Sequence, residues 1–381
     1  MFTLSAKTWL TTYFINLYFI WGIFVPFWGI WLIGQGITTE QVGVLFSMGL
    51  VLRFVSNLSI LPRISSGVAT LKLIRLLAFI TLFCFSSLFF LHGYVWLALL
   101  TLLINFIMTP MMPLGDIVGS RLVQQIQLDY GRVRLWGSVS FIAGSTVVGW
   151  LIVDYGLQAI LILIVFTAIV MWILSLGKLS PNLTDTVGEV KGKKTSLIKA
   201  LKKPEVIFFL LIVGFIQGSH GAYYAFSTIY WDSLGIAGST IAWLWAISVF
   251  AEVLILRFNS KLFGRWTIKQ MLLLAVVGGV IRWWVLSMTD NAYLLGIVQT
   301  LHALTFAVTH LAAIRYISQQ ESSQLVTYQS LYSGVALGLM MALFTYIAGV
   351  NYETLQGDLF LLSAVLLLPV FVFIKLWKVN N

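Results

Sequence analysis

The sequence predicts an all-α membrane protein of twelve transmembrane helices, arranged as two pseudo-symmetric six-helix bundles with both termini in the cytoplasm. Three observations carry this reading. The 381 residues are 60% hydrophobic and only 9% charged, against roughly 25% charged residues in ordinary soluble domains. Apolar runs of about 20 residues, long enough to cross a ~30 Å hydrocarbon core as helix, recur along the whole chain. Of the 23 Lys and Arg residues, all but Arg53 and Arg282 fall at the two ends, in every second gap between runs, or in the first turns of a run beside such a gap. Cationic short loops resist translocation and mark the cytoplasmic side.

The runs lie at 9–33, 41–61, 71–91, 95–119, 135–153, 157–177, 206–231, 239–256, 270–288, 291–314, 326–350 and 358–377. The first follows Lys7, is too long for a signal-peptide core and has no A-x-A cleavage pattern, so it stays as a span. Its connection to the second, around Gln35, holds no Lys or Arg, and neither do those at His92 to Tyr94, Asp154 to Gly156 and Gly235 to Ser239. The same holds for Thr289 to Asn291 and Asn351 to Gly357, and these six are the expected outside loops. Between the second and third runs lies Arg63, with Lys72 and Arg75 in the first turns of the third; between the fourth and fifth lie Arg121, Arg132 and Arg134. In the fourth run Pro110 and Pro113 precede Asp116; each removes a backbone hydrogen bond, so a kink is expected beside that carboxylate. After the sixth run the chain turns polar over 178–204, with Pro181, Asn182, Asp185, Gly188, Glu189 and lysines from Lys178 to Lys203. That stretch reads as a cytoplasmic linker dividing a bundle at 1–177 from one at 205–381. Arg257, Lys261, Arg265 and Lys269 follow the eighth run, Arg315 the tenth, and Lys375 and Lys378 mark the end of the twelfth. In the eleventh, Gly334 and Gly338 permit close helix contact. Leu52-Arg53-Phe54 recurs as Leu256-Arg257-Phe258, at matching places in the two sets of six.

Composition also excludes classes of function. The net charge of +10 does not point to nucleic acid, because the cations sit in loops that face anionic headgroups of the bilayer. Cys84 is the single cysteine, which rules out an intrachain disulfide and a cysteine-based metal site. His302 and His310 lie eight residues apart without further ligands, so no metal is expected, nor any cofactor. No nucleophile elbow or paired-carboxylate motif suggests an enzyme, and no filter segment suggests a channel.

A charge at the bilayer centre costs at least ~2.5–3.5 kcal/mol, so ionisable residues within spans usually face a cavity or a partner. Arg53, Asp116, Glu252, Arg282, His302 and His310 qualify, and Arg134 opens the fifth span. Each has a plainer reading. Arg53 or Arg282 could reach a headgroup, Asp116 could pair with a neighbouring helix, and the histidines could be satisfied between helices. Glu252 is hardest to dismiss, lying deep in the run from Ile241 to Leu256.

Six plus six spans with a basic central loop is the architecture of the major facilitator superfamily. At Leu128-Asp129-Tyr130-Gly131-Arg132-Val133-Arg134-Leu135-Trp136-Gly137-Ser138 the chain resembles the signature of the branch that holds lactose permease and the phenylpropionate permeases. The likeness to the phenylpropionate permeases extends through Pro26-Phe27-Trp28, Ile30-Trp31-Leu32, Ala222-Tyr223-Tyr224-Ala225-Phe226-Ser227, Ile229-Tyr230-Trp231, Ala251-Glu252-Val253 and Leu311-Ala312-Ala313-Ile314-Arg315-Tyr316-Ile317. The resemblance implies that Asp116 and Arg134, 18 residues apart, stand where lactose permease carries its sugar-binding glutamate and partner arginine. Glu252, Arg282 and His302 likewise resemble its glutamate, arginine and histidine of spans 8, 9 and 10. Two positions depart from it: Thr305 stands where that permease has a proton-carrying glutamate, and Arg53 where it has an uncharged residue. The phenylpropionate permeases resemble this chain in having an arginine there.

Arg53, Arg134 and Arg282 set against Asp116 and Glu252 leave one excess positive charge, which suits a monocarboxylate. Arginine's planar fork holds a carboxylate by two hydrogen bonds, and aromatic walls stack a phenyl ring. Trp21, Trp28, Trp136, Phe141, Tyr223, Tyr224 and Trp231 are the aromatics near expected cavity faces, though many aromatics in such a chain simply pack or sit in interfacial belts. The expectation is a monomeric, proton-coupled importer of an aromatic carboxylate such as 3-phenylpropionate, in the bacterial inner membrane. Arg53, Asp116, Arg134, Trp28, Tyr223 and Tyr224 would bind substrate, and Glu252, Arg282 and His302 would couple the proton. The alternative is a proton symporter for a neutral sugar or nucleoside.

Overall fold

The computed structural model describes residues 3–61, 66–183, 197–321 and 324–378. Arg63 and the stretch 184–196, the middle of the expected linker, lie outside the described residues. Twelve helices among them are long and apolar enough to cross a membrane. Spans 1 to 6 are Ala6–Gly34, Thr39–Ile60, Gly67–Ser87, Tyr94–Ile126, Tyr130–Tyr155 and Gln158–Ser175. Spans 7 to 12 are Pro204–Ser233, Gly238–Phe263, Ile268–Met288, Ala292–Ser318, Thr327–Leu355 and Asp358–Leu376.

Side-chain oxygens cap several of these helices by accepting the N–H groups that the first turn leaves unpaired. Ser5 accepts from Thr8, Ser66 from Ala69 and Asp129 from Arg132. Thr267 and Gln270 form a reciprocal capping box at span 9. The ends of spans 1 and 7 repeat one another. Ile37 N–H closes on Leu32 O at 3.1 Å and Ile236 N–H on Trp231 O at 3.0 Å, each after a glycine, Gly36 or Gly235, with φ near +80°. A left-handed residue before an apolar one is what this six-residue closure requires, and Gly-Ile supplies it in both halves. The Leu-Arg-Phe echo is different: Arg53 is half-buried, whereas Arg257 is exposed.

The backbone departs from regular α-helix inside four spans. Span 4 breaks at Thr109 and Pro110, beside the expected kink, and span 7 breaks at Ser219 and His220. Span 10 breaks at Thr300 and Leu301 and continues as a π-helix over Ala303–Val308. Span 11 contains a second π-helix at Tyr332–Met340, which includes Gly334 and Gly338.

One small sheet accompanies the helices. Strand β1 (Thr3–Ser5) pairs in parallel with strand β2 (Lys178–Ser180), Leu4 opposite Leu179. The chain just before span 1 and just after span 6 thereby satisfies backbone groups that would otherwise lack partners, and Leu179 is buried.

The chain packs as two compact units. The first comprises Met1–Thr38, Val51–Glu189 and Ala237–Ala242; the second comprises Thr39–Leu50, Val190–Ile236 and Trp243–Asn381. Span 1 is the buried axis of the first and span 7 of the second; they are the most buried of the twelve. The start of span 2 belongs to the second unit, where Gly43 lies against Gly349 of span 11 so closely that a Cβ on either would strike the other's backbone. Thr39 donates there to Glu353. The start of span 8 belongs to the first unit, where Ala242 lies against Gly149 of span 5.

Candidate functional site

Each unit carries its own charged cluster. In the first unit, Arg53 of span 2 lies with its guanidinium carbon 4.7 Å from the Trp21 ring centre. Its Nε–H donates to Asn105 Oδ1 at 2.8 Å. Asn105, buried in span 4, has its amide orientation fixed because Nδ2 donates to Thr101 O at 2.8 Å. No carboxylate among the described residues approaches Arg53 within ion-pair distance, and its two terminal nitrogens have no acceptor among them. The Trp21 indole N–H is also buried without a partner. The result is a set of fixed donors beside an aromatic face.

The second feature of this unit is built where span 4 restarts after Pro110. Asp116 accepts a hydrogen bond from Tyr130 Oη at 2.5 Å, and Arg134 Nε lies 3.8 Å from the same Oδ1. Gly119 makes this possible, since a Cβ there would overlap the Tyr130 ring. Arg134 also donates to Tyr18 Oη, and its guanidinium packs on the Tyr18 and Phe14 rings, 4.3 and 5.4 Å from their centres. The Asp116 side chain is 48% exposed, so the pair is open to a ligand. An ion pair this exposed contributes on the order of 0–1 kcal/mol to stability.

In the second unit the centre is Arg282 of span 9, fully buried. Nη1 donates to His302 Nδ1 at 3.1 Å and Thr305 Oγ1 at 3.3 Å, and Nη2 donates to Gln299 Oε1 at 2.9 Å. Its guanidinium carbon lies 4.4 and 4.3 Å from the ring centres of Tyr223 and Trp283. Each of these three acceptors is neutral. His302 Nε2, on the other side of the ring, lies 3.9 Å from Glu252 Oε2. Glu252 retains 22% side-chain exposure while His302 is buried. Only the carboxylate end of this chain therefore meets the outside.

The expected aromatic contacts divide. Trp28 is fully buried, stacked on Trp31 with ring centres 4.5 Å apart, and its indole N–H donates to Thr101 Oγ1 at 3.2 Å. Tyr223 is fully buried between Arg282 and Trp245, its hydroxyl 3.2 Å from Ser248 Oγ. Tyr224 is half-buried and stacks on His220. Trp136 is exposed. His310 bonds Tyr332 Oη through Nδ1 at 3.0 Å, apart from the Arg282 cluster. No three His, Cys, Asp or Glu side chains among the described residues gather to hold a metal ion.

Asn105, Tyr18, Gln299 and His220 take part as well, and sequence reasoning does not single them out. His220 has a signal: Gly218-Ser219-His220-Gly221 interrupts the apolar run of span 7. The other three are neutral polar residues in or beside apolar runs and carry no such mark.

The MFS_1 like family model matches residues 8–362. The chain is 37% identical over 369 residues, 96% of each chain, to the probable 3-phenylpropionic acid transporter of Escherichia coli K12. It is 24% identical over 269 residues, 69% of this chain and 66% of the other, to the maltose permease of Geobacillus stearothermophilus. Among solved structures it is similar to a point variant of the nucleoside transporter NupG, with a TM-score of 0.84 over 98% of this chain and 100% of that one. The sequence identity there is 14%, so the likeness shows the fold alone.

Proposed function

The chain belongs to the MFS_1 like family of membrane transporters, and on that premise we propose that it imports an aromatic carboxylate such as 3-phenylpropionate, together with a proton, across the bacterial inner membrane. The observation that carries this reading is Arg53, a guanidinium within a membrane span whose terminal nitrogens have no acceptor among the described residues and whose face lies on Trp21. An organic anion leaving water loses strong hydration, and only fixed charge-assisted donors replace it. Arg53 offers such donors end-on, its guanidinium held in place by the Trp21 ring on which it packs. The relative from Escherichia coli is named for an acid of this kind.

Asp116 and Arg134 form a binding or gating pair in this reading, with Tyr130 holding the carboxylate in place. Glu252 carries the proton, because it combines exposure with a neighbouring imidazole. Arg282 and His302 convey its state through the second unit. Trp28 and Tyr223 support the sites from within the packed interior, and Tyr224 remains available beside His220. Coupling follows when protonation of Glu252 and binding of the acid favour the same conformation, since a ligand shifts an equilibrium only by its differential affinity.

The test is uptake of labelled 3-phenylpropionate by proteoliposomes with and without an imposed pH gradient, acidic outside. Gradient-dependent accumulation that Arg53→Ala abolishes is the expected result; normal accumulation by that variant overturns the substrate assignment. A second reading, symport of a neutral sugar or nucleoside, draws on the half-exposed Asp116 and Arg134 pair, which offers a hydroxylated ligand both acceptor and donor. Competition between 3-phenylpropionate and a sugar or nucleoside for uptake separates the two.

A further inference from the structure

Position 305 carries a hydroxyl that cannot titrate, yet Thr305 Oγ1 is the meeting point of the second unit's polar cluster. It lies 2.9 Å from His220 Nε2, 3.3 Å from Arg282 Nη1 and 3.1 Å from the carbonyl oxygen of His302. Thr305, His220 and Arg282 are all fully buried. The partners determine where each hydrogen resides, because carbonyls only accept and guanidinium only donates.

His220 Nδ1 faces two carbonyl oxygens, Ile216 O and Gln217 O, both at 3.1 Å. Nδ1 therefore carries the hydrogen, and Nε2 presents a lone pair. A second proton on His220 would place another buried cation against the same oxygen that Arg282 holds. The Thr305 hydroxyl must then donate to His220 Nε2; turning its hydrogen to His302 O would leave that buried lone pair without a donor. With its hydrogen committed, Thr305 Oγ1 turns its own lone pairs to Arg282 Nη1. Arg282 in turn donates to His302 Nδ1, so the His302 hydrogen resides on Nε2, the nitrogen that faces Glu252. The wide turn at Ala303–Val308 is fastened to the same part of span 7, for Gln217 Nε2 donates to Phe306 O at 3.4 Å.

We infer that His220 and Thr305 are positioning residues that act through Arg282 to fix the tautomer of His302, so that His302 is a constant N–H donor towards Glu252 and not itself the proton carrier. This rests on the reading of Glu252 as the proton-carrying group. The groups that surround His302 are Arg282 from span 9, Glu252 from span 8, and His220, Tyr223 and Tyr224 from span 7. Tyr223 and Tyr224 touch it through their rings. Removing the Thr305 hydroxyl frees Arg282 Nη1 from one of two acceptors and His220 from its donor. The His220 Nε2 lone pair, now without a donor, draws Arg282 Nη1 away from His302 Nδ1; the His302 hydrogen then distributes over both ring nitrogens, and a lone pair on Nε2 favours the protonated form of Glu252.

The experiment pairs Thr305→Val, which keeps the shape and removes the hydroxyl, with Thr305→Ser, which keeps the hydroxyl. Ring nitrogen-15 shifts of the histidines, assigned with single His→Gln variants of the full chain, report the tautomers. Proteoliposome uptake of 3-phenylpropionate reports accumulation under a pH gradient relative to counterflow. In the wild type His220 is expected as the Nδ1–H form and His302 as the Nε2–H form. Thr305→Val is expected to mix the His302 tautomers, lower the accumulation-to-counterflow ratio by about tenfold and move the pH profile of uptake to higher pH. Thr305→Ser restores all three. A wild-type His302 with its hydrogen on Nδ1, or a Thr305→Val protein with unchanged tautomers and ratio, overturns the inference. Tautomers that follow the assignment in a wild type indifferent to the pH gradient overturn the proton-import reading instead and leave the positioning roles standing.

Discussion

Tyr130 donates its phenolic hydrogen to Asp116 across the loop that joins spans 4 and 5, at 2.5 Å, and Gly119 is the residue that lets the ring lie flat against span 4. A carboxylate whose Oδ1 meets both the Tyr130 hydroxyl and the Arg134 guanidinium keeps a single orientation while half its surface stays open. Tyr130→Phe is expected to lower thermal stability in detergent by roughly 1–2 kcal/mol, the scale of a hydrogen bond to a charged group near a surface. Gly119→Ala should do the same by displacing the ring. An unchanged melting profile in both variants contradicts the arrangement.

Arg53 gives the sharpest substrate test. Arg53→Ala should raise the KM for 3-phenylpropionate by about thirtyfold or more, since truncating one side of a desolvated charge pair costs ~2–5 kcal/mol or more. Arg53→Lys should fall between, because an ammonium lacks the planar fork. A lysine variant indistinguishable from alanine means that the residue's charge is not what the substrate meets.

Glu252→Gln separates the proton from the substrate. The amide fills the same volume and never ionises, so accumulation driven by a pH gradient should vanish. Exchange of labelled for unlabelled acid should continue and lose its dependence on pH. The measurement is counterflow at acidic and alkaline pH; a variant that still concentrates substrate against its gradient rules out Glu252 as the carrier.

Arg282 is a stability prediction as well as a functional one. Arg282→Ala leaves His302 Nδ1 and Gln299 Oε1 without their donor and opens a void between the Tyr223 and Trp283 rings. Each buried group left unpaired costs about 1–3 kcal/mol, offset in part by relief of the buried charge. A net loss on the order of 3 kcal/mol should appear as a lower unfolding temperature. Arg282→Met, which fills the gap, should recover part of it; equal melting of both variants shows that packing contributes nothing there.

The twelve spans are legible in the sequence because a membrane imposes length and apolarity together, and because lysines and arginines alternate between gaps. The kink before Asp116 is legible through Pro110 and Pro113. The pairing of Thr3–Ser5 with Lys178–Ser180 is not, since three-residue strands have no periodicity to read. Neither are the wide turns of spans 10 and 11, which replace one hydrogen-bond ladder by another without a change in composition. Among site residues, Arg53, Asp116, Glu252, Arg282 and His302 stand out because a charge within an apolar run has few explanations. Asn105 and Gln299, which hold two of those arginines, are uncharged, and only geometry reveals them.

A helix that contains one wide turn holds a surplus residue relative to the regular form of the same length. If that surplus moves along the axis, the intervening stretch turns by about 100° while its ends stay where they are. In span 10 the surplus lies at Ala303–Val308, between the imidazole that meets Arg282 and the one that meets Tyr332. The two histidines are thus set on a shaft with its own internal screw, and a local rewinding at one of them alters the azimuth of the side chains in between without melting the rod.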